Sequence, residues 1–240
     1  MKREYWFIII VYIVMQFSSL IGLPVLMWGF KSLGISQNLA IPIWLIASFS
    51  LALLIILFLL RKEIKADSFN KRDRTFGYSV MWAFLGVFLA LFAQYVAAII
   101  ETLLGIKMGS ENTQHILRII DLFPLAIIVT SIIGPILEEI VFRKIIFGVL
   151  HKRFNFFISA LISSVIFALA HQEPVHILLY SAMGFTFAFL YVITGRIAVP
   201  IFAHVAMNTM VVLVQTVYKD DIDRLRREAE AVQNFIGGFL

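Results

Sequence analysis

Seven apolar runs, at 5–28, 40–60, 77–100, 122–146, 156–171, 175–194 and 197–218, follow one another with short polar breaks between them. A helix needs about 20 mostly apolar residues to cross the hydrocarbon layer. The pattern therefore predicts an all-α, polytopic membrane bundle of about seven transmembrane helices. The fifth run is short and stops at Gln172-Glu173-Pro174, where proline blocks continuation of a helix. Two stretches depart from the pattern. Residues 105–121 are too polar to span, and Ile116, Leu117, Ile119 and Ile120 predict a helix lying at the membrane interface. Residues 219–234 alternate charges around Ile222, Leu225 and Val232, as a solvated or surface-lying terminal helix would.

The polar breaks also carry an orientation. Lys2 and Arg3 precede the first run as in a signal peptide. That run continues to Trp28 without a small-x-small cleavage site and is read as a retained span. With the N-terminus cytoplasmic, Lys2, Arg3, Arg61, Lys62, Lys65, Lys71, Arg72, Arg74, Arg143, Lys144, Lys152, Arg153 and Arg196 fall on the inner side. The short, strongly cationic loop 61–74 decides the matter, because cationic loops stay inside. The outer side receives Lys31, Lys107, Arg118 and the tail cations.

Composition removes several classes of function. Of 240 residues 61% are hydrophobic, more than one soluble core uses, which places the chain in a cell membrane. There is no cysteine, which excludes disulfides, iron–sulfur clusters and thiolate metal sites. The net charge of +5 comes without a basic cluster interleaved with aromatics, so nucleic acid is not an expected partner; the lipid bilayer is.

Against this background a few polar residues lie where they are costly. Glu138-Glu139-x-x-x-Arg143, Phe167-x-x-x-His171 and His204-x-x-x-Asn208 each interrupt a separate apolar run. Ionisable groups at membrane depth cost at least about 2.5–3.5 kcal/mol each, so they face an interior or a wet cavity and carry function. Counted from the inner ends of their helices, Glu138, His171, His204 and Asn208 lie about 18, 21, 9 and 15 Å deep, one broad layer in which they can meet.

Glu139 and Arg143 stand at i,i+4 with the acid first, the better order for an ion pair, and are read as structural. Glu138 is rotated away by about 100° and keeps no local cation, which suits a general base. Gly134-Pro135 weakens the backbone ladder just before it, tolerable only against protein or water. His204 and Asn208 share a helix face. Such a set supports attack of a catalytic water on an amide, with Glu138 and His171 taking the proton and His204 and Asn208 donating to the oxyanion. It equally supports a zinc ion held by Glu138, His171 and His204 with one open position. Spacing alone leaves both open.

Other polar residues receive ordinary readings. His115, His151 and His176 are hydrogen-bonded packing residues, Glu173 and Gln94 cap or pack, and Phe167 packs beside His171. Ser131, Ser163, Ser164 and Ser181 have no Ser-Lys or Gly-x-Ser-x-Gly setting.

The three motifs in this order resemble the CPBP family of intramembrane proteases, also called the CAAX protease and bacteriocin-processing or Abi family. Its pattern is E-E-x-x-x-R, F-x-x-x-H and H-x-x-x-N. The likeness covers about 120–215, and the flanks around Gly134-Pro135 and Ala198-Val199-Pro200 resemble firmicute members. It implies N-terminal helices and an interfacial segment over 1–120, a protease-like core over 121–218 and a polar tail over 219–240. That tail is too polar for the eighth span of some members.

The resemblance also implies a glutamate-dependent endopeptidase acting on a membrane-associated peptide or protein. Glu138 would be the water-activating base, His171 its assistant, and His204 and Asn208 the oxyanion site. Glu139, Arg143 and Phe167 would support them. Bacterial members are associated with maturation of peptide pheromones or bacteriocins and with self-immunity. A non-catalytic immunity scaffold and a proton-coupled transporter are the competing readings. The complete motif set argues against the first, and the single polar layer argues against the second.

Overall fold

The computed structural model describes residues 1–67, 75–107, 109–222, 224–225 and 227–228. Lys71, Arg72 and Arg74 of the cationic loop, and the tail beyond 228, lie outside the described residues. Among the described residues every regular element is helical. The long helices are α1 (Arg3–Phe17), α2 (Ser19–Ser32), α3 (Ala40–Asp67), α4 (Phe76–Leu103) and α5 (Glu111–Leu122). They are followed by α6 (126–150), α7 (Phe156–Ala170), α8 (Ile177–Thr194) and α9 (Ala198–Val217). α8 packs between α4 and α7, α9 lies against α4 and α6, and α1 and α2 lean on α3.

The apolar runs do not all become straight spans. Gln37–Glu63, Phe76–Leu103, Pro174–Thr194 and Ala198–Val217 are each long and apolar enough to cross a bilayer. The predicted first span, 5–28, is two helices that meet at 47°. Its bend falls at Ser18, whose Oγ donates to the Met15 carbonyl at 2.7 Å, a back-bond that bends helices. Trp44 Nε1 donates to the same hydroxyl at 3.2 Å and ties the bend to α3. α7 has 15 residues and so extends only about 22 Å, short of the hydrocarbon thickness.

α6 is one helical run cut by two wider π stretches, Val129–Ile133 and Glu139–Phe147. Pro135 accounts for the first: it supplies no N–H and its ring excludes the preceding carbonyl. Gly134 completes the adjustment, since a Cβ there would stand 3.2 Å from the Val129 carbonyl oxygen. The second stretch starts directly after Glu138. π turns of this kind gather at functional sites, and here the irregular helix and the short one carry the first two motifs.

α5 takes up the later part of the 105–121 segment, starting at Glu111 behind a Ser110 cap that accepts from Thr113 N at 3.0 Å. Its buried Ile119 and Ile120 rest on Ala126 and Val212, so the helix covers the end of the bundle. Elsewhere small residues bring backbones together. A Cβ on Gly184 of α8 would lie 2.9 Å from Ser164 Cβ of α7, so this crossing admits glycine and little else.

Candidate active site

The three motifs converge. Glu138, Phe167, His171, His204 and Asn208 all line one cavity of about 850 Å³. The adjacent carboxylates divide as their helical phase requires: the Glu138 side chain keeps 18% of its surface exposed, whereas that of Glu139 keeps none. His204 stands between them. Its Nδ1 donates to Glu139 Oε1 at 2.9 Å, and its Nε2 faces Glu138 Oε2 at 3.7 Å. That second gap is beyond hydrogen-bond reach, so both atoms keep capacity for a water on their cavity side.

Glu139 therefore does more than pair with Arg143. One oxygen orients His204 and the other faces Arg143 Nε at 3.4 Å. Arg143 is fully buried, and none of its three guanidinium nitrogens has a hydrogen-bond partner among the described residues. Aromatic faces replace those partners: the guanidinium carbon lies 4.1 Å from the Phe167 ring centroid and 5.4 Å from that of Phe187. Phe187 also stacks on the His204 ring, with centroids 4.6 Å apart. Phe167 packs beside His171, with ring centroids 4.5 Å apart, and does more besides. Its ring covers Arg143, and its carbonyl accepts from His171 Nδ1 at 2.8 Å. With Nδ1 so used, Nε2 is the His171 nitrogen left for the cavity.

His171 closes α7, and Gln172 follows in the left-handed region at φ 57°, where helix ends commonly turn. The reversed chain delivers Glu173 and Tyr180 to the same place. The Tyr180 ring stacks on the His171 imidazole with centroids 4.1 Å apart, and its hydroxyl donates to Glu173 Oε2 at 2.8 Å. Ser110 Oγ donates to the same oxygen at 2.7 Å, while Glu111 N and Asn112 N donate to Oε1 at 2.5 and 3.4 Å. Glu173 is thus a cap, as expected, but for a distant helix: it fastens the first turn of α5 over the cavity. His176 is a buried hydrogen-bonded residue, 2.7 Å from Glu101 and 3.2 Å from the Gly109 carbonyl. No motif flagged Tyr180 or Glu101; the one signal was polar residues clustered at the ends of neighbouring spans.

Burial pushes the Glu173 carboxyl up, but the hydrogen bonds from Ser110, Tyr180, Glu111 and Asn112 outweigh it and hold the group below its usual value of 4.5. A depressed carboxylate lends stability that is complete above its unfolded value and is lost as pH falls through the folded one. Protection of the α5 first-turn amides against hydrogen exchange, corrected for intrinsic rates, is therefore expected to decline below about pH 4.5 and to be lost at neutral pH in Glu173→Ala. Protection independent of both would contradict this fastening.

Among the described residues no three His, Cys, Asp or Glu side chains stand close enough to share an ion. His204 also spends one nitrogen on Glu139.

The sequence model of the family described as "Type II CAAX prenyl endopeptidase Rce1-like" matches residues 120–210. A relative from Bacillus subtilis (strain 168) named "Putative membrane peptidase YdiL" is 49% identical over 246 residues, covering 100% of both chains. "Membrane-embedded CAAX protease MroQ" of Staphylococcus aureus (strain USA300) is 39% identical over 166 residues, 66% of each chain. No solved structure matches. The chain belongs to the Rce1-like CAAX protease family. It is a membrane peptidase of the CAAX-protease type.

Proposed function

We propose that the protein is a glutamate-dependent intramembrane endopeptidase that hydrolyses one peptide bond in a membrane-associated peptide or protein. Maturation of a peptide pheromone or bacteriocin precursor is the role that the family resemblance implies. The observation that carries the reading is the convergence of Glu138, His171, His204 and Asn208 on one cavity inside apolar sequence.

In this mechanism Glu138 takes a proton from a water held on the cavity side of His204, with the free nitrogen of His171 helping to hold it. The water oxygen attacks the carbonyl carbon. Charge develops on the carbonyl oxygen, where the Asn208 amide and the His204 ring donate through N–H. Collapse breaks the carbon–nitrogen bond, and Glu138 returns the proton to the leaving amine. Glu139 holds the His204 ring in the orientation that presents Nε2, and buried Arg143 compensates its charge. No step requires a metal. A proton path across the membrane finds less support, because beneath Glu138 the bundle is filled by buried Phe142, Ile145 and Phe147.

The test is Asn208→Ala. Loss of a donor used mainly in the transition state is expected to lower turnover about 10²–10³-fold with substrate affinity little changed. Turnover within about threefold of wild type would remove Asn208 from the oxyanion site.

A further inference from the structure

We infer that the cavity opens on the extracytoplasmic side of the membrane, so that its substrate is an exported or outer-leaflet peptide segment rather than a cytosolic chain end. The inference rests on reading Glu138, His171, His204 and Asn208 as the reaction centre. Three observations lead to it.

First, one end of the bundle gathers the cations. Glu63 at the foot of α3 receives Lys2 Nζ and the Tyr5 hydroxyl of the N-terminal helix, and Lys144 of α6 stands 3.6 Å from it. These contacts place the N-terminus, the end of α3 and the lower part of α6 at the same level. Arg61, Lys62, Lys152, Arg153 and Arg196 belong to helix ends or short connections on that side. Cations concentrate in cytoplasmic loops, which makes this end cytoplasmic.

Second, the cavity opens at the other end. Its rim includes Lys107, Glu111, His115, Arg118 and Gln172, all exposed. Its walls come from the parts of the spans nearest that rim, such as Trp44 and Ser48 early in α3 and Gln94 and Thr102 late in α4. The same end is tied together by Glu173 on the start of α5 and by Lys219 on Asp121 at 3.1 Å.

Third, among the described residues nothing continues the cavity towards the cationic end. Among the described residues none that lines it comes from the cationic connections, and Phe142, Ile145, Phe147 and the caged Arg143 fill the bundle there. A volume of about 850 Å³ is in the upper range of small-molecule pockets, and it takes a short peptide segment rather than a folded domain.

The chain has no native cysteine, so single cysteines report accessibility without background. Lys107→Cys and Gln172→Cys on the rim, Ser48→Cys in the wall and Lys152→Cys at the cationic end are expressed in cells of Bacillus subtilis. They are exposed to a small charged methanethiosulfonate that does not cross membranes, with Arg118→Cys and Arg153→Cys as a second pair should one variant fail to insert. Total thiol after denaturation measures how much protein is present. The inference expects reaction at the rim and at Ser48→Cys in intact cells, and at Lys152→Cys and Arg153→Cys only after permeabilisation. Reaction at the cationic end in intact cells, or rim positions or Ser48→Cys that react only after permeabilisation, would overturn it. Labelling does not depend on hydrolysis. The same pattern is expected in a Glu138→Gln background, so failure of this inference and failure of the peptidase reading give different results.

Discussion

Glu138→Gln is expected to abolish turnover and leave the folded protein almost unchanged. The amide has the size of the carboxylate but cannot take a proton from water, and general-base catalysis contributes typically about 10²–10⁴-fold. The structural cost is small for a geometric reason. Glu138 keeps part of its side chain in the cavity, and His204 Nε2 stands 3.7 Å from its Oε2. Among the described residues no buried partner loses a short hydrogen bond. Cleavage rate and thermal midpoint in detergent together decide the point: near-normal cleavage would require a different base, and a large fall in midpoint would mean that Glu138 is structural.

Glu139→Ala is expected to act in the opposite way on the fold. Removing this carboxylate leaves Arg143 buried among Phe167 and Phe187 without its ion-pair partner, a loss of about 3–5 kcal/mol. It also removes the acceptor of His204 Nδ1, so activity falls as well. The double variant Glu139→Leu with Arg143→Met separates the two effects. Replacing both charges by apolar groups of similar size is often neutral or stabilising. Stability should therefore return towards wild type while activity stays low, because His204 remains without its anchor. Recovery of activity along with stability would show that Glu139 serves only the ion pair.

The residues that meet in the cavity were legible because membrane helices make polar residues conspicuous. Glu138, His171, His204 and Asn208 stand out of apolar runs, and helical rise alone puts them in one layer. What spacing did not reveal was their pairing. Phase along α6 assigns Glu139 to Arg143, and only the crossing of α9 over α6 brings His204 Nδ1 to the other oxygen of Glu139. The dual use of Phe167 was hidden likewise, since a ring over a guanidinium depends on how α6 and α7 pack.

Hydropathy found the apolar runs but not their shape. The break at Ser18 depends on a side-chain back-bond, and the π turns of α6 depend on Pro135 acting within a continuous apolar pattern. The clasp of Glu173 on α5 joins residues far apart in the chain across two helix ends. No periodicity records such a contact.

The account stands most directly on one comparison of membrane peptides. Bacillus subtilis lacking its 49%-identical relative would be supplied with equal amounts of the wild-type chain or Glu138→Gln. Peptides released from or retained in the membranes are then compared by mass spectrometry. The account predicts cleavage products, with their precursors depleted, only where the wild-type chain is present, and a Glu138→Gln pattern matching that of cells with neither protein. A Glu138→Gln pattern indistinguishable from wild type, with the same new termini in the same amounts, would contradict it.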